Sequence, residues 1–159
     1  MEERPVRKMN RLEGYDYAQP GCYFVTICTK NKERILGQVT KAEETQQSKM
    51  ILSPCGQLAE EAILAIEQVY QGVRVEKYAI MPNHIHLLLS MTAGNYALPN
   101  LSRIIQQTKR RVSKLHGSPV WQSHYNDHII RCEQDYREIW NYIENNPTKL
   151  SLYQQGIMP

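Results

Sequence analysis

Two extended runs stand either side of Pro82-Asn83, and they constrain the fold more than any other feature of the chain. Val73 to Met81 is rich in β-branched and aromatic residues, while His84 to Met91 alternates and then turns wholly apolar. A Pro-Asn pair between such runs is a turn signal, so the pattern predicts an antiparallel hairpin. Side chains alternate along a strand. Ile85, Leu87 and Leu89 are therefore assigned to a core, and His84 and His86 to the opposite, open face of the sheet.

The remaining elements arrange themselves around that hairpin. Cys22 to Thr29 is a β-rich run bounded by Pro20-Gly21 and Lys30-Asn31-Lys32, and reads as a first strand. Ile35 to Val39 and Met50 to Leu52 read as short strands flanking the polar loop Thr40 to Lys49. Ser53-Pro54 opens a helix whose apolar face is Leu58, Ala62, Ile63, Ile66, Val69 and Tyr70. A second helix, Leu101 to Leu115, carries the stripe Leu101, Ile104, Ile105, Thr108, Val112 and Leu115, and Gly117-Ser118-Pro119 ends it. A further strand within Val120 to Arg131 centres on His128-Ile129-Ile130. Glu133 to Asn145 is a last helix, expected to stop at Pro147. With the small hairpin set aside, the order is βαββαβ plus a final helix. That is the α+β, ferredoxin-like (split-βαβ) order, an antiparallel sheet with helices on one face and a C-terminal helix carrying Tyr142.

The chain of 159 residues is expected to form one domain, residues 1–159, with 1–17 as a polar lead-in. Its 42% hydrophobic and 22% charged content fits a globular protein and excludes wholesale disorder. No run approaches the roughly 18 apolar residues of a membrane span, and Met1 to Arg11 has no apolar secretory core. The expected location is cytoplasmic. Cys22, Cys28, Cys55 and Cys132 show no CxxC spacing, which fits reduced thiols.

The net charge of +3 says little, but its distribution says more. No acidic residue occurs between Glu76 and Asp127, a stretch that holds Lys77, Arg103, Lys109, Arg110, Arg111 and Lys114. Such a block makes a local positive field, suited to a polyanion.

His84 and His86, about 7 Å apart by strand rise, can chelate one divalent ion through neutral imidazoles. Tyr142 and Asn146 stand one helical turn apart on the last helix. Two His and one Asn supply three neutral ligands and no carboxylate, so a cation held there keeps its charge for an anionic substrate oxygen. Such a cation polarises a phosphodiester, and a nearby tyrosine can attack phosphorus. The basic helix offers a polynucleotide backbone somewhere to lie.

At this point the chain resembles a known family. Tyr78-Ala79-Ile80-Met81-Pro82-Asn83-His84-Ile85-His86-Leu87-Leu88-Leu89 is similar to the His-hydrophobe-His (HUH) segment of single-tyrosine transposases. Trp121-Gln122, Asp127-His128-Ile129-Ile130-Arg131 and Tyr142-Ile143-Glu144-Asn145-Asn146-Pro147 resemble the downstream signature of the REP-associated tyrosine transposase branch. Tyr15-Asp16-Tyr17 and Pro20 to Thr29 also fit, so the resemblance runs from about Arg11 to Leu150. It implies that His84, His86 and Asn146 bind Mg²⁺ or Mn²⁺. It also implies that Tyr142 cuts single-stranded DNA beside a hairpin and keeps the 5′ phosphate. Asn146 stands where insertion-sequence relatives carry Gln. Homodimers that exchange tyrosine helices occur in the wider family, and monomers in this branch.

Arg103, Lys109, Arg110, Arg111 and Lys114 are the expected DNA contacts, with Arg131 expected near the site. Tyr96 and Trp121 are candidates for stacking on bases. Tyr125 and Tyr136 compete with Tyr142 as nucleophile; Tyr136 reads as core and Tyr125 as facing solvent or DNA. A metal-bound water, Lys149 or the substrate could assist the phenol. Two rival functions remain at this level. One is a non-cleaving hairpin DNA- or RNA-binding module of the same fold. The other is a zinc hydrolase or oxygenase using the two histidines, which the absence of nearby carboxylates disfavours.

Overall fold

The computed structural model describes residues 12–41 and 48–154, with side chains from 12 to 40 and 48 to 146. Residues 1–11 of the lead-in, 42–47 of the polar loop and the Lys149 side chain lie outside the described residues.

Four strands form the main sheet: β1 (Gly21–Cys28), β4 (Val73–Met81), β5 (His84–Met91) and β6 (Asn126–Ile130). Their order is β4-β5-β1-β6, and each neighbouring pair is antiparallel. Two βαβ units thus interleave, as the sequence order predicts. The inserted hairpin, β2 (Gly37–Lys41) and β3 (Ser48–Leu52), is a separate antiparallel pair.

The crossover helices are α1 (Pro54–Val69) and α2 (Leu101–His116). Ser53 caps α1 by accepting from the Gly56 amide at 3.1 Å, and Asn100 caps α2 by accepting from the Ser102 amide at 2.9 Å. Gly117 ends α2 in the left-handed region at φ 90°, where a side chain would be strained. Gly56 has a different reason: a Cβ there would lie 2.0 Å from the Leu36 carbonyl oxygen. Only glycine lets α1 approach that chain so closely.

The core fills the space between this helix pair and one sheet face. Tyr23, Val25 and Ile27 of β1 meet Ile85, Leu87 and Leu89 of β5, Ala59, Ile63 and Ile66 of α1, and Leu101, Ile104, Ile105 and Val112 of α2. Two stripe ends depart from the expectation. Val69 and Leu115 are 60% and 58% exposed. Each lies in the final turn of its helix, and Cys55 and Ala59 take the place assigned to Val69. Leu87→Ala should cost about 2–5 kcal/mol, because its site has no solvent to fill the cavity. Urea unfolding checks this, and a change under about 1 kcal/mol would contradict the packing.

The last helix, α3 (Glu133–Gln154), gives the main correction. It does not stop at Pro147. Proline removes one backbone donor, the one that would serve the Ile143 carbonyl, and the helix continues past that gap. Nor is the histidine face of the sheet open. α3 packs on β4 and the β2–β3 hairpin and carries Tyr142 over His86 and Phe24; its own Ile143, and Leu88 of β5, are 1% and 0% exposed. The fully apolar end of β5 thus serves two layers, with Leu88 buried on the face opposite Leu87. Among the described residues no helix is long and apolar enough to cross a membrane.

Candidate active site

Alternation along β5 sends His84 and His86 to the face under α3, with their ring centroids 4.7 Å apart. β1 supplies the neighbouring wall, because its register sets Thr26 opposite His86 and Phe24 opposite Leu88. Thr26 Oγ1 lies 3.0 Å from His86 Nδ1. Phe24, the only phenylalanine in the chain, stacks on the His86 ring at 5.4 Å. Asn83 Oδ1 lies 2.7 Å from His84 Nδ1.

His86 is 4% exposed, and its Nε2 is closed to solvent with no hydrogen-bond partner among the described residues. Burial, reinforced by the nearby His84 charge, holds the His86 pKa down to about 3; burial also lowers that of His84. Both rings are neutral near pH 7, the state in which an imidazole nitrogen can take a metal. The metal-free protein should therefore lose stability as acidity rises. An unfolded histidine takes up its proton near pH 6.5, whereas folded His86 waits until about 3. The unfolded state binds more protons throughout that window, so stability is complete above it and falls as pH drops through it. The slope is at most about 1.4 kcal/mol per pH unit. Urea midpoints across the window check this, and His86→Leu should flatten them; an unflattened profile would assign the acid loss to another group.

α3 delivers the phenol. The Tyr142 ring stands 5.4 Å from His86 and 6.3 Å from Phe24, and 42% of the residue is exposed. Asn146, one turn further on, is buried, and its side-chain nitrogen donates to the Tyr142 carbonyl at 3.3 Å. That leaves its side-chain oxygen as the atom available to a cation. The opposite side of α3 is pinned to β4. Lys77 Nζ sits 4.4 Å over the Trp140 ring and 3.1 Å from a Glu144 carboxylate oxygen. Trp140 and Glu144 lie one turn apart, so both meet Lys77 from the same side of the helix. Both imidazoles and the phenol come from one chain.

The donor set suits a cation. Among the described residues no three His, Cys, Asp or Glu side chains converge to hold a metal. A divalent ion here would rest on neutral donors, as the sequence pattern expects, and the unpartnered Nε2 of His86 is an atom such an ion would satisfy.

The basic residues fall elsewhere. α2 packs on the other face of the sheet, so its outward Arg103, Arg110, Arg111 and Lys114 are separated from the imidazoles by the sheet and a helix about 10–12 Å across. Lys109 is half-buried, its ammonium donates to the Gln122 carbonyl at 2.6 Å, and burial lowers its pKa. It ties the α2–β6 connection in place. Arg131 is exposed but not near the site. It follows Ile130, whose β1 partner Cys22 is four residues from Thr26, about 13 Å along the strand.

The competing tyrosines also find places. The Tyr125 hydroxyl meets Ser102 Oγ at 2.8 Å and its partly buried ring packs against the core. Tyr136 stacks on Trp140 at 6.1 Å and is partly buried rather than core. Of the stacking candidates, Trp121 is buried, and Tyr96 folds over Gly72 and Gly94 with its hydroxyl on the Thr92 carbonyl at 2.7 Å. Sequence reasoning missed Thr26, Phe24 and the Lys77 clasp. Only the strand register and the docking of α3 bring them to the site. Asn83 carries a signal in the sequence, its place directly before His84.

No protein-family profile matches the chain. It is 32% identical to an uncharacterized protein of Haemophilus influenzae, over 89% of this chain and 88% of that one. It is 22% identical to a REP-associated tyrosine transposase of Escherichia coli, over 84% of this chain and 70% of the relative. A solved REP-associated tyrosine transposase, bound to a REP hairpin, shares its fold with a TM-score of 0.65 at 22% identity, covering 89% of this chain and 74% of that one.

Proposed function

We propose, from the chain's membership of the family of REP-associated tyrosine transposases, that it is a metal-dependent endonuclease and strand transferase of single-stranded DNA at hairpin-flanked sites. Tyr142 is the nucleophile. His84, His86 and the Asn146 side-chain oxygen would hold Mg²⁺ or Mn²⁺. A cation bound there would polarise the scissile phosphodiester and offset the negative charge gathering on its oxygens. The Tyr142 oxygen forms a bond to phosphorus, and the bond from phosphorus to the 3′ oxygen breaks. The phenol proton ends on that 3′ oxygen, leaving a free 3′-OH and a 5′-phosphotyrosine. One phosphodiester replaces another, so a 3′-OH of a second strand can reverse the step without ATP. Phe24 and His86 flank the phenol ring and hold it at the sheet.

The observation that carries this reading is the 5.4 Å approach of the Tyr142 ring to His86, whose outer nitrogen has no partner among the described residues. The test is incubation with a labelled DNA hairpin bearing single-stranded flanks, with Mn²⁺. A denaturation-resistant protein–DNA adduct that disappears in Tyr142→Phe is expected. Tight binding with no adduct on any flank would replace the nuclease with a non-cleaving hairpin-binding module.

The exposed stripe Arg103, Arg110, Arg111 and Lys114 grips the DNA away from the cut. Removing both Arg110 and Lys114 should weaken hairpin binding and reduce the salt slope by about two. The adduct rate at saturating DNA should stay unchanged. A slope equal to that of the parent protein would move the grip to another face.

A further inference from the structure

Two residues outside the proposed ligand set touch its imidazoles from behind. The first sits in the β4–β5 turn, which is fastened from several sides. The Pro82 carbonyl accepts from the Leu36 amide at 3.0 Å, and the Asn83 carbonyl accepts from the Thr29 amide at 2.9 Å. Thr29 is 0% exposed, and its hydroxyl lies a further 3.1 Å from the same Asn83 carbonyl. The backbone of Asn83 is thus fixed, and its side-chain oxygen stands 2.7 Å from His84 Nδ1. The second residue, Thr26, is the direct cross-strand partner of His86 and meets Nδ1 at 3.0 Å.

A neutral imidazole carries one proton on one of two nitrogens. A carboxamide oxygen has no proton to give, so the His84 nitrogen facing Asn83 must be the N–H, and Nε2 is left bare. His86 Nε2 is buried with no partner among the described residues. A proton there would be a buried donor with nothing to accept it, which costs about 1–3 kcal/mol. The proton is cheaper at Nδ1, where the Thr26 oxygen accepts it. We propose that Asn83 and Thr26 are positioning residues that hold both histidines in the Nδ1–H form, aiming two Nε2 lone pairs into the space beside Tyr142. The inference rests on the reading of this site as a cation site, and it deepens that reading by explaining why the turn is Pro-Asn and why a threonine faces the sheet.

The first test needs neither metal nor DNA. Nitrogen-15 NMR of the metal-free protein assigns the protonated nitrogen of each ring. Nδ1–H on both is expected, and Nε2–H on His84 would overturn the proposal. The second is Mn²⁺ binding, followed by electron paramagnetic resonance. Asn83→Ala and Thr26→Val should each weaken it about 10–100-fold. Asn83→Asp and Thr26→Ser keep an acceptor and should recover most of that loss, which a merely structural role would not predict. Unchanged Mn²⁺ affinity in both Asn83→Ala and Thr26→Val, or no Mn²⁺ binding by the parent protein, would overturn it. Nδ1–H rings that bind Mn²⁺ in a protein forming no DNA adduct would support this inference while sinking the nuclease.

Discussion

Tyr142→Phe should lower covalent adduct formation by about 10⁴-fold or more, as expected when a nucleophile is removed, while hairpin affinity stays within about twofold. The argument is geometric. Phenylalanine keeps the ring that meets His86 at 5.4 Å and Phe24 at 6.3 Å, so the aromatic packing persists. Only the hydroxyl proposed to attack phosphorus is lost. Tyr125→Phe and Tyr136→Phe serve as controls. Tyr125 bonds Ser102 on the other side of the sheet, and Tyr136 stacks on Trp140. Both should retain the adduct. Denaturing gels with labelled oligonucleotide report all three variants. An adduct that survives in Tyr142→Phe and vanishes in Tyr125→Phe or Tyr136→Phe would reassign the nucleophile.

The second large effect concerns the imidazoles. His84→Ala should abolish measurable Mn²⁺ binding and slow cleavage about 10³-fold, since Lewis-acid stabilisation contributes several kcal/mol. His84 is the cleaner choice. It is only partly buried, whereas His86 is 4% exposed and its removal would also open a cavity under α3. Chelation of divalent ions from the parent protein should reproduce the loss. If the chelated protein forms adduct as fast as the Mn²⁺-loaded one, the cation has no part in the step. Hairpin binding should be nearly unaffected, because the exposed cations of α2 lie across the sheet from the histidines.

Particular residues show how much could be read in advance. The ranges Val73–Met81 and His84–Met91 match β4 and β5 as observed. Their alternation and the Pro-Asn turn are local signals, and local signals survive folding. The helix ends were less legible. Pro147 is a strong stop by propensity, about 3 kcal/mol against a helix interior, yet α3 runs on to Gln154. Burial of Ile143, on the helix itself, is a tertiary gain that propensity does not contain. From the sequence Arg131 is expected near the site. Antiparallel pairing with β1 carries it to the far end of the sheet.

The chain alone determined the order of strands and helices, the shared face of His84 and His86, and the one-turn spacing of Tyr142 and Asn146. All three follow from periods of two and 3.6 residues along a single element. Which elements meet was decided by folding. The register of β1 on β5 brings Thr26 and Phe24 to His86. The docking of α3 across the histidine face brings the phenol there, and puts the site on the other side of the sheet from the basic helix. These are contacts between residues dozens of positions apart. They depend on how whole faces pack, which no local repeat encodes.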